Sequence, residues 1–313
     1  MFTLIQKRRW YFIISALLIV PGLVAMIYST VAIGAPLRLS IDFTGGSLLE
    51  LSFQQPVVVE DVRQVFADAG LADTTVQTIG AEGNVIVCAK PMEVETKEAI
   101  LRTLEERFGA VTELRFESVG PTVGRETTRS AGLAILATSG AILVFVAIAF
   151  RNVPNALRYG ICAITKMLHD VLVLLGIASI LGLLAGWEVD SLFLTAILTV
   201  VGFSVQDVIV VFDRIRENIG RRRGEEFETI VNRSLLETLH RSLATQLNAI
   251  FVMVALILFG GVTIRQFMAV MAIGMVVGTY SSLFFAVPLL VVWERGELRH
   301  AFARLGGRRA PAT

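Results

Sequence analysis

Two apolar stretches of the sequence contain acidic residues in places where ionised groups are expensive. Asp207 lies within the stretch 191–213, and Asp170 lies beside His169 within the stretch 158–185. A charge in hydrocarbon costs about 2.5–3.5 kcal/mol on insertion scales, so such residues usually face a protein interior or a water path. A carboxyl group in that setting can bind and release a proton. We therefore expect Asp207, Asp170 and His169 to take part in proton coupling.

Three further charged residues lie close to these stretches. Asp213 begins the polar run 213–218, where a solvated or arginine-paired side chain competes with a role in proton coupling. Arg241 opens the fifth apolar stretch, from which it can snorkel to the cytoplasm or reach a carboxylate in the fourth. If it reaches one, protonation of that acid cancels the attraction and lets the helices shift. Lys166, one turn before Asp170, can snorkel toward the cytoplasmic side.

The buried acids also have purely structural interpretations. Asp207 can be a neutral, hydrogen-bonded carboxyl that joins two helices. His169 and Asp170 are adjacent, so on a helix they point about 100° apart and are not expected to face each other. A shared network at a helix interface therefore competes with a proton relay for these two residues.

The elements that position these residues are predicted to be six membrane-spanning helices. The chain of 313 residues is 54% hydrophobic, with a mean hydropathy of +0.69. Its apolar residues cluster in runs of about 20, the length that crosses a hydrocarbon core as a helix. The predicted spans are 10–33, 130–150, 158–185, 191–213, 243–263 and 267–293. Gly202 in the fourth span, and Gly274 and Gly278 in the sixth, favour close helix packing.

Lysine and arginine residues lie mostly on one side of these spans. That side carries Lys7, Arg8, Arg9, Arg151, Arg158, Arg214, Arg216, Arg221, Arg222, Arg223, Arg295, Arg299, Arg304, Arg308 and Arg309. The opposite short loops, 186–190 and 260–266, contain only Arg265. Because such residues concentrate in cytoplasmic loops, the pattern predicts a multi-pass protein of the bacterial inner membrane with both termini in the cytoplasm. A cleavable signal peptide is the competing interpretation of the first span, although 10–33 is longer than the apolar core of such peptides.

The segment 36–122 is mixed polar and apolar and is predicted to fold outside the cytoplasm. Alternation predicts strands at 38–42, 47–53, 75–79, 84–89 and 111–119, and helical spacing predicts helices at 59–69 and 93–108. From residue 47 onward the order is β-α-β-β-α-β, which is the ferredoxin-like or split-βαβ pattern. The predicted fold class is therefore an α-helical polytopic membrane protein of six transmembrane helices with an inserted α+β ferredoxin-like domain.

The other segments complete the predicted domain organisation. Residues 1–35 hold the first span, residues 123–295 hold the other five, and residues 296–313 form a basic cytoplasmic tail. The charged connection 214–241 is predicted to be an amphipathic helix or helix pair at the membrane surface. The net charge of +1 gives no indication of a nucleic-acid partner. The two cysteines fall in different predicted compartments, so neither a disulfide nor a thiolate metal site is expected.

Several motifs, in order along almost the whole chain, resemble the SecF family of protein-export subunits. They lie at 41–46, 48–51, 117–124, 168–171, 201–207, 210–218, 278–282 and 288–290. The most specific is the fourth-span motif Gly-Phe-Ser-Val-Gln-Asp that ends at Asp207, although Gln206 replaces an asparagine often seen in the family. The motif Ile-Asp-Phe-Thr-Gly-Gly resembles the one just outside the family's first helix and contains Asp42, Gly45 and Gly46.

The resemblance implies a function in protein export. It implies half of an RND-superfamily unit that pairs with SecD, works beside the SecYEG channel and uses the proton gradient to pull emerging preproteins outward. Asp207 resembles the family's proton-carrying aspartate, and Arg241 resembles the arginine near it in the fifth helix. Protons are the implied coupling ion, with no other cofactor, no metal and no enzymatic activity. YajC, the translocating preprotein and membrane lipid are further implied partners.

Three alternatives stay open. Half of an RND-type transporter for lipids or small molecules shares the acid in the fourth helix, but the predicted outer domain is small for an export pump. An intramembrane aspartyl protease would use Asp170 and Asp207, but neither lies in the G-x-G-D motif of such enzymes. A passive scaffold subunit would hold its buried acids only for structure, and dependence on the proton gradient distinguishes it from a motor.

Overall fold

The computed structural model describes residues 3–78, 83–149, 156–222 and 224–296, which form two compact units. The helical unit contains the described residues of 1–38, 135–187 and 192–313, and the mixed unit contains those of 39–134 and 188–191. The elements in chain order are α1 (Arg8–Ile33), α2 (Ile41–Thr44), β1 (Gly46–Phe53), α3 (Val59–Asp68), β2 (Thr75–Thr78), β3 (Asn84–Ala89), α4 (Val94–Phe108), β4 (Val111–Val119), α5 (Pro121–Ala149), α6 (Ala156–Ala185), α7 (Ser191–Arg221), α8 (Phe227–Phe259), α9 (Val262–Ser281) and α10 (Val287–Glu294).

Six helical segments in the described part of the chain are long and apolar enough to cross a membrane. Five of them are α1, α5, α6, α7 and α8, and the sixth runs from Ile264 to Glu294 through α9 and α10. The predicted number of spans is therefore confirmed. Helix α5 begins at Pro121, well before its predicted start at residue 130, because proline suits the first turn of a helix, where its missing N–H needs no partner.

The charged connection 214–241 is helical on both sides of a short turn and forms a helix pair continuous with α7 and α8. Helix α7 continues through it to Arg221, and α8 begins at Phe227. Glu217 forms ion pairs with the arginines three residues before it and four residues after it, and such pairs support a helix. The chain then reverses near Gly224, whose φ of +103° suits a residue without a side chain.

Two kinds of contact hold the helical unit together. Helices α1 and α6 meet backbone to backbone, since a Cβ atom on Gly22 would lie only 2.6 Å from the Cα atom of Gly176. The other contact is a cluster of buried apolar side chains drawn from several helices. It includes Val146, Cys162, Phe212, Leu235, Leu283 and Leu290.

The sixth span is interrupted by a π-helical segment, Ser282–Ala286. The buried hydroxyls of Ser281 and Ser282 donate hydrogen bonds to the backbone carbonyl of Gly278, one turn earlier. Such segments alter the regular hydrogen-bond ladder and are frequent at functional sites. Here the segment carries Phe285 to the ring of His169 in α6, with 4.6 Å between the ring centroids.

The mixed unit is built on a four-stranded antiparallel sheet. Its strand order is β2-β3-β1-β4. Side chains alternate along β1, so Leu49 and Leu51 enter a core that also contains Phe66 of α3 and Leu104 of α4. The strands and helices predicted between residues 47 and 119 are confirmed to within a residue at each end, except that residue 79 lies outside the described ranges.

The strand predicted at 38–42 is wrong. Residues Ile41–Thr44 form the short helix α2, and the stretch before them makes only an isolated bridge. The Ser40 hydroxyl accepts a hydrogen bond from the N–H of Asp42 at 3.2 Å and so caps the helical turn. A local bond of this kind competes with strand pairing, and an alternating hydropathy pattern does not record it.

Candidate proton-coupling site

One face of α6 carries Lys166, His169 and Asp170 into the interior of the helical unit. Their relative exposures are 0%, 3% and 0%, respectively. Residues three and four positions apart share a helix face, and the apolar residues Ala163 and Val173 on the same face are also buried. The three polar residues therefore belong to the protein interior and not to a lipid-facing surface.

Lys166 and Asp170 form a fully buried ion pair. The Lys166 Nζ atom lies 2.8 Å from Asp170 Oδ2 and donates a hydrogen bond to the backbone carbonyl of Ser204 in α7 at 2.9 Å. The Ser204 hydroxyl donates to the same Asp170 oxygen. Lys166 does not snorkel toward the cytoplasm, because a carboxylate one turn away and a carbonyl on the next helix satisfy its charge inside the protein.

His169 also contacts Asp170, although the two were not expected to face each other. The distance from His169 Nδ1 to Asp170 Oδ1 is 3.1 Å. The angle of about 100° separates the directions in which neighbouring side chains leave a helix, and side-chain torsions can still bring their short polar ends together. The other ring nitrogen, Nε2, is buried and has no hydrogen-bond partner among the described residues.

Asp207 lies in α7, one turn after Ser204, and is 7% exposed. Its Oδ2 atom is buried and has no hydrogen-bond partner in the described parts of the chain. A buried carboxyl oxygen without a donor is costly as an anion, and a proton on that group removes the cost. The arrangement therefore suits a carboxyl that changes its protonation state.

Arg241 does not join this cluster. Its side chain is exposed on α8, and within the described ranges it makes no ion pair. The buried face of α8 at this level carries Ser242 and Gln246 instead, which are adjacent to Arg241 or one turn further along. The structure thus lacks the expected approach of Arg241 to a carboxylate in α7, because helical rotation turns residue 241 outward.

Asp213 is also separate from the buried cluster. Its side chain is more than half exposed, and its Oδ1 atom pairs with Arg216 Nη2 at 2.6 Å. The arginine-paired interpretation of Asp213 is therefore the one that the structure supports.

The three glycines predicted to mediate helix packing differ in their surroundings. A Cβ atom on Gly274 of α9 would lie 2.5 Å from a methyl carbon of Val200 in α7, so a side chain there would force Val200 or the helices to shift. A Cβ atom on Gly278 would meet the Cβ atom of Ser204 at an ordinary 3.5 Å. Nothing among the described residues lies within 4 Å of a Cβ atom built on Gly202. Within the described chain Gly202 thus contacts no other helix, because it is on an exposed face of α7, and its role in packing stays a prediction.

The motif around Gly45 and Gly46 lies in the mixed unit, between α2 and β1. Gly45 has a φ of +73°, and a Cβ atom there would lie 2.9 Å from the Cα atom of Pro121. A Cβ atom on Gly46 would lie 2.8 Å from the carbonyl oxygen of Ala89. Asp42 accepts a hydrogen bond from the N–H of Ser191 through Oδ2 at 2.9 Å. Neighbouring backbone atoms lie too close to Gly45 and Gly46 for a side chain at either position. The carboxylate of Asp42 is stabilised by the N-terminus of α7, which begins at Ser191.

Two serines of the site were not singled out from the sequence. Ser204 bonds Asp170 directly, and the Ser282 hydroxyl lies 3.4 Å from the Ser204 carbonyl. The available signal for Ser204 was its position three residues before Asp207, on the same face of one helix. In the described ranges no group of three or more His, Cys, Asp and Glu residues is placed to hold a metal ion.

Comparison with protein families gives two matches. Residues 99–296 match the family model described as "Protein export membrane protein SecD/SecF, C-terminal". Residues 31–57, which include Asp42, Gly45 and Gly46, match the "SecD/SecF GG Motif". The first match alone covers more than half of the chain.

Curated relatives are similar over nearly their whole length. "Protein translocase subunit SecF" of Anaerolinea thermophila is 44% identical over 97% of this chain and 98% of its own. The subunit of the same name from Thermobaculum terrenum is 46% identical over the same shares of the two chains.

Two solved structures that are similar to this chain are both structures of SecDF. The crystal structure of SecDF from Thermus thermophilus, a translocon-associated membrane protein, superposes with a TM-score of 0.78 at 32% identity. This alignment covers 94% of the present chain but only 39% of the SecDF chain. SecDF in the super-membrane-facing form gives a TM-score of 0.65 at 31% identity. From its family matches and its relatives, the chain belongs to the SecD/SecF family of protein export membrane proteins.

Proposed function

We propose that this chain is an accessory subunit of the Sec protein-export machinery in the bacterial inner membrane. It pairs with SecD, and the pair uses the proton motive force to help pull preproteins through SecYEG. Membership of the SecD/SecF family supports this assignment. It is also supported by relatives that are named as translocase subunits and are similar to this chain over nearly their whole length. The match to 39% of a SecDF chain supports SecD as the partner that supplies the rest.

The observation that carries the motor function is the buried carboxyl of Asp207. Its Oδ2 atom has no donor among the described residues. Asp207 lies one turn after Ser204, whose carbonyl accepts a hydrogen bond from the buried Lys166 that is already paired with Asp170. Proton uptake at Asp207 therefore changes the charge of a helix interface. One elementary charge moved through 100 mV is worth about 2.3 kcal/mol, which is enough to bias a helix rearrangement without ATP.

The proposed arrangement in the membrane follows the charge distribution. Both termini are cytoplasmic, and the mixed unit is a ferredoxin-like domain on the extracytoplasmic side of an RND-type half. The β-α-β-β-α-β order and the sheet order β2-β3-β1-β4 support the domain assignment. Most of the α5 surface is exposed in the single chain, which supports contact with SecD or with lipid along this helix. Preprotein, SecYEG and YajC are further proposed partners.

The test is gradient-driven completion of preprotein translocation in vesicles that contain SecD, SecYEG and this chain. Asp207→Asn keeps the size and polarity of the side chain but cannot titrate, so it is expected to abolish the part of translocation that depends on the proton gradient. Asp213→Asn is the matched control, because Asp213 is exposed and paired with Arg216. Co-purification with SecD establishes that each variant assembles.

Either of two results would contradict the proposal. Full gradient dependence in Asp207→Asn would support a passive scaffold or a different proton path through Asp170. Normal translocation with altered export of a lipid or small molecule would support the transporter alternative.

A further inference from the structure

We propose that Lys166 is the positioning residue of the proton-coupling site, whose ammonium moves from Asp170 toward Asp207 when Asp207 releases its proton. The inference rests on the proposed function of Asp207 and adds a resident cation to it. The motif comparison pointed to Arg241 for that role. In the structure Arg241 is exposed, whereas Lys166 is completely buried between α6 and α7.

The first argument is the balance of charge. Lys166 supplies one positive charge, and Asp170 and Asp207 supply two negative charges when both are ionised. One cation cannot neutralise two carboxylates, so with a neutral His169 ring the buried group carries a net negative charge unless one carboxyl also holds a proton. Asp207 is the carboxyl that takes it, because its Oδ2 atom has no donor among the described residues, while both oxygens of Asp170 have donors.

The second argument is that Asp170 keeps partners when Lys166 leaves. Its Oδ2 atom also accepts a hydrogen bond from the Ser204 hydroxyl, and its Oδ1 atom lies 3.1 Å from His169 Nδ1. A carboxylate with two remaining donors is far less costly than a bare one. Loss of the ammonium is therefore tolerable at Asp170, whereas Asp207 has no equivalent donor for its Oδ2 atom within the described chain.

The third argument is that the movement is short. The Lys166 ammonium already bonds the carbonyl of Ser204, which is three residues before Asp207 and thus about 4.5 Å from it along the axis of α7. An ammonium has three N–H donors on a flexible stem, so it can keep the Ser204 carbonyl while it exchanges one carboxylate for the other. The exchange replaces an ion pair within α6, between Lys166 and Asp170, by an ion pair between α6 and α7, from Lys166 to Asp207.

Other titratable groups around α6 have partners of their own or lie elsewhere. In α9, the Tyr280 hydroxyl donates to the carbonyl of Tyr11 in α1 at 2.6 Å. Glu294 of α10 pairs with Arg158 at the start of α6, two turns from Lys166. Within α6 itself, Cys162 lies one turn before Lys166 in the apolar cluster. Lys166 is thus a buried cation that contacts both Asp170 and the turn of α7 that precedes Asp207.

The test is the pH dependence of carbodiimide labelling at Asp207, measured by mass spectrometry on the chain in complex with SecD. A hydrophobic carbodiimide reacts with the protonated carboxyl, so the labelling midpoint reports how readily Asp207 gives up its proton. Lys166→Met removes the cation but keeps the length of the stem. We expect its midpoint to rise by about one pH unit or more, a tenfold change in proton affinity, since a nearby cation favours the ionised acid.

Two variants sharpen this result. Lys166→Arg keeps the charge and is expected to hold the midpoint within about half a pH unit of the parent. Arg241→Met removes the exposed cation and is expected to leave the midpoint unchanged. If Lys166→Met does not assemble with SecD, the double variant Lys166→Met/Asp170→Asn is compared with Asp170→Asn. These two variants differ only in the cation, so the double variant is expected to have the higher midpoint.

An unchanged midpoint in Lys166→Met relative to the parent, or equal midpoints in the double variant and Asp170→Asn where that pair is used, would overturn the inference. A rise in Arg241→Met instead would assign the role to Arg241. These outcomes differ from failure of the proposed function, which is full gradient-dependent translocation in Asp207→Asn. If Asp207→Asn loses that dependence while Lys166→Met keeps the parent midpoint, only the role of Lys166 is refuted.

Discussion

Replacing Gly274 by alanine is expected to destabilise the helical unit, because α9 meets α7 at this residue without room for a side chain. The new Cβ atom would lie 2.5 Å from one methyl carbon of Val200 and 2.8 Å from the other. Carbon atoms in contact prefer about 3.5–4.0 Å, so the helices must separate by roughly 1 Å or the valine must change its rotamer. Valine is restricted to one main rotamer in a helix, and overpacking of this kind costs about 1–3 kcal/mol.

Thermal unfolding of the purified complex with SecD measures this loss, and two other glycines provide matched controls. A Cβ atom on Gly278 would make an ordinary 3.5 Å contact with Ser204, and one on Gly202 would meet nothing within 4 Å. Gly278→Ala and Gly202→Ala are therefore expected to be at least as stable as the parent, since alanine favours a helix over glycine by up to about 1 kcal/mol.

A double-mutant cycle isolates the contact. Val200→Ala removes both methyl groups that Gly274→Ala would meet, so the two substitutions together should cost less than the sum of their separate costs. The reasoning is refuted if Gly274→Ala is as stable as Gly278→Ala, or if the two substitutions prove additive.

Two further predictions concern the ion pair of the site and the glycine motif of the mixed unit. Asp170→Asn leaves the Lys166 charge buried without its carboxylate, and we expect the free energy of unfolding to fall by about 3–5 kcal/mol, with a smaller loss when Lys166→Met is added. Denaturant unfolding of the single and double variants checks this, and a larger loss in the double variant would count against it. Gly45→Ala should cost about 1–3 kcal/mol because of the φ of +73° and the 2.9 Å approach to Pro121. Gly120→Ala, which would meet nothing within 4 Å in the described chain, is its control in the same thermal assay, and equal stability of the two would contradict the strain argument.

The architecture could be predicted from the sequence to the extent that it follows from local patterns. Membrane spans and amphipathic strands and helices are recorded in the hydropathy of consecutive residues, so their number and position followed directly. A prediction failed where a local hydrogen bond, and not the hydropathy pattern, determines the backbone conformation. Ser40, for example, starts a helical turn in a predicted strand.

The candidate site was only partly predictable. Asp170 and Asp207 could be found because an acid in an apolar run is conspicuous in any sequence. The direction of the Lys166 side chain could not be predicted. A lysine in an apolar helix can extend to solvent or turn inward, and the outcome depends on whether the neighbouring helix provides a hydrogen-bond acceptor. The exposure of Arg241 likewise depends on the rotation of α8 relative to the rest of the helical unit.

The sequence by itself determined that this protein has six apolar segments, a small mixed α/β unit and two acids inside spanning helices, because composition and periodicity are properties of neighbouring residues. Only the tertiary structure decided that Lys166 pairs with Asp170 and donates a hydrogen bond to the carbonyl of Ser204. It also decided that one carboxyl oxygen of Asp207 has no hydrogen-bond partner within the described chain. Partners in a buried polar network come from different helices, and which of them meet is set by helix rotation and close packing, for which a linear pattern holds no information.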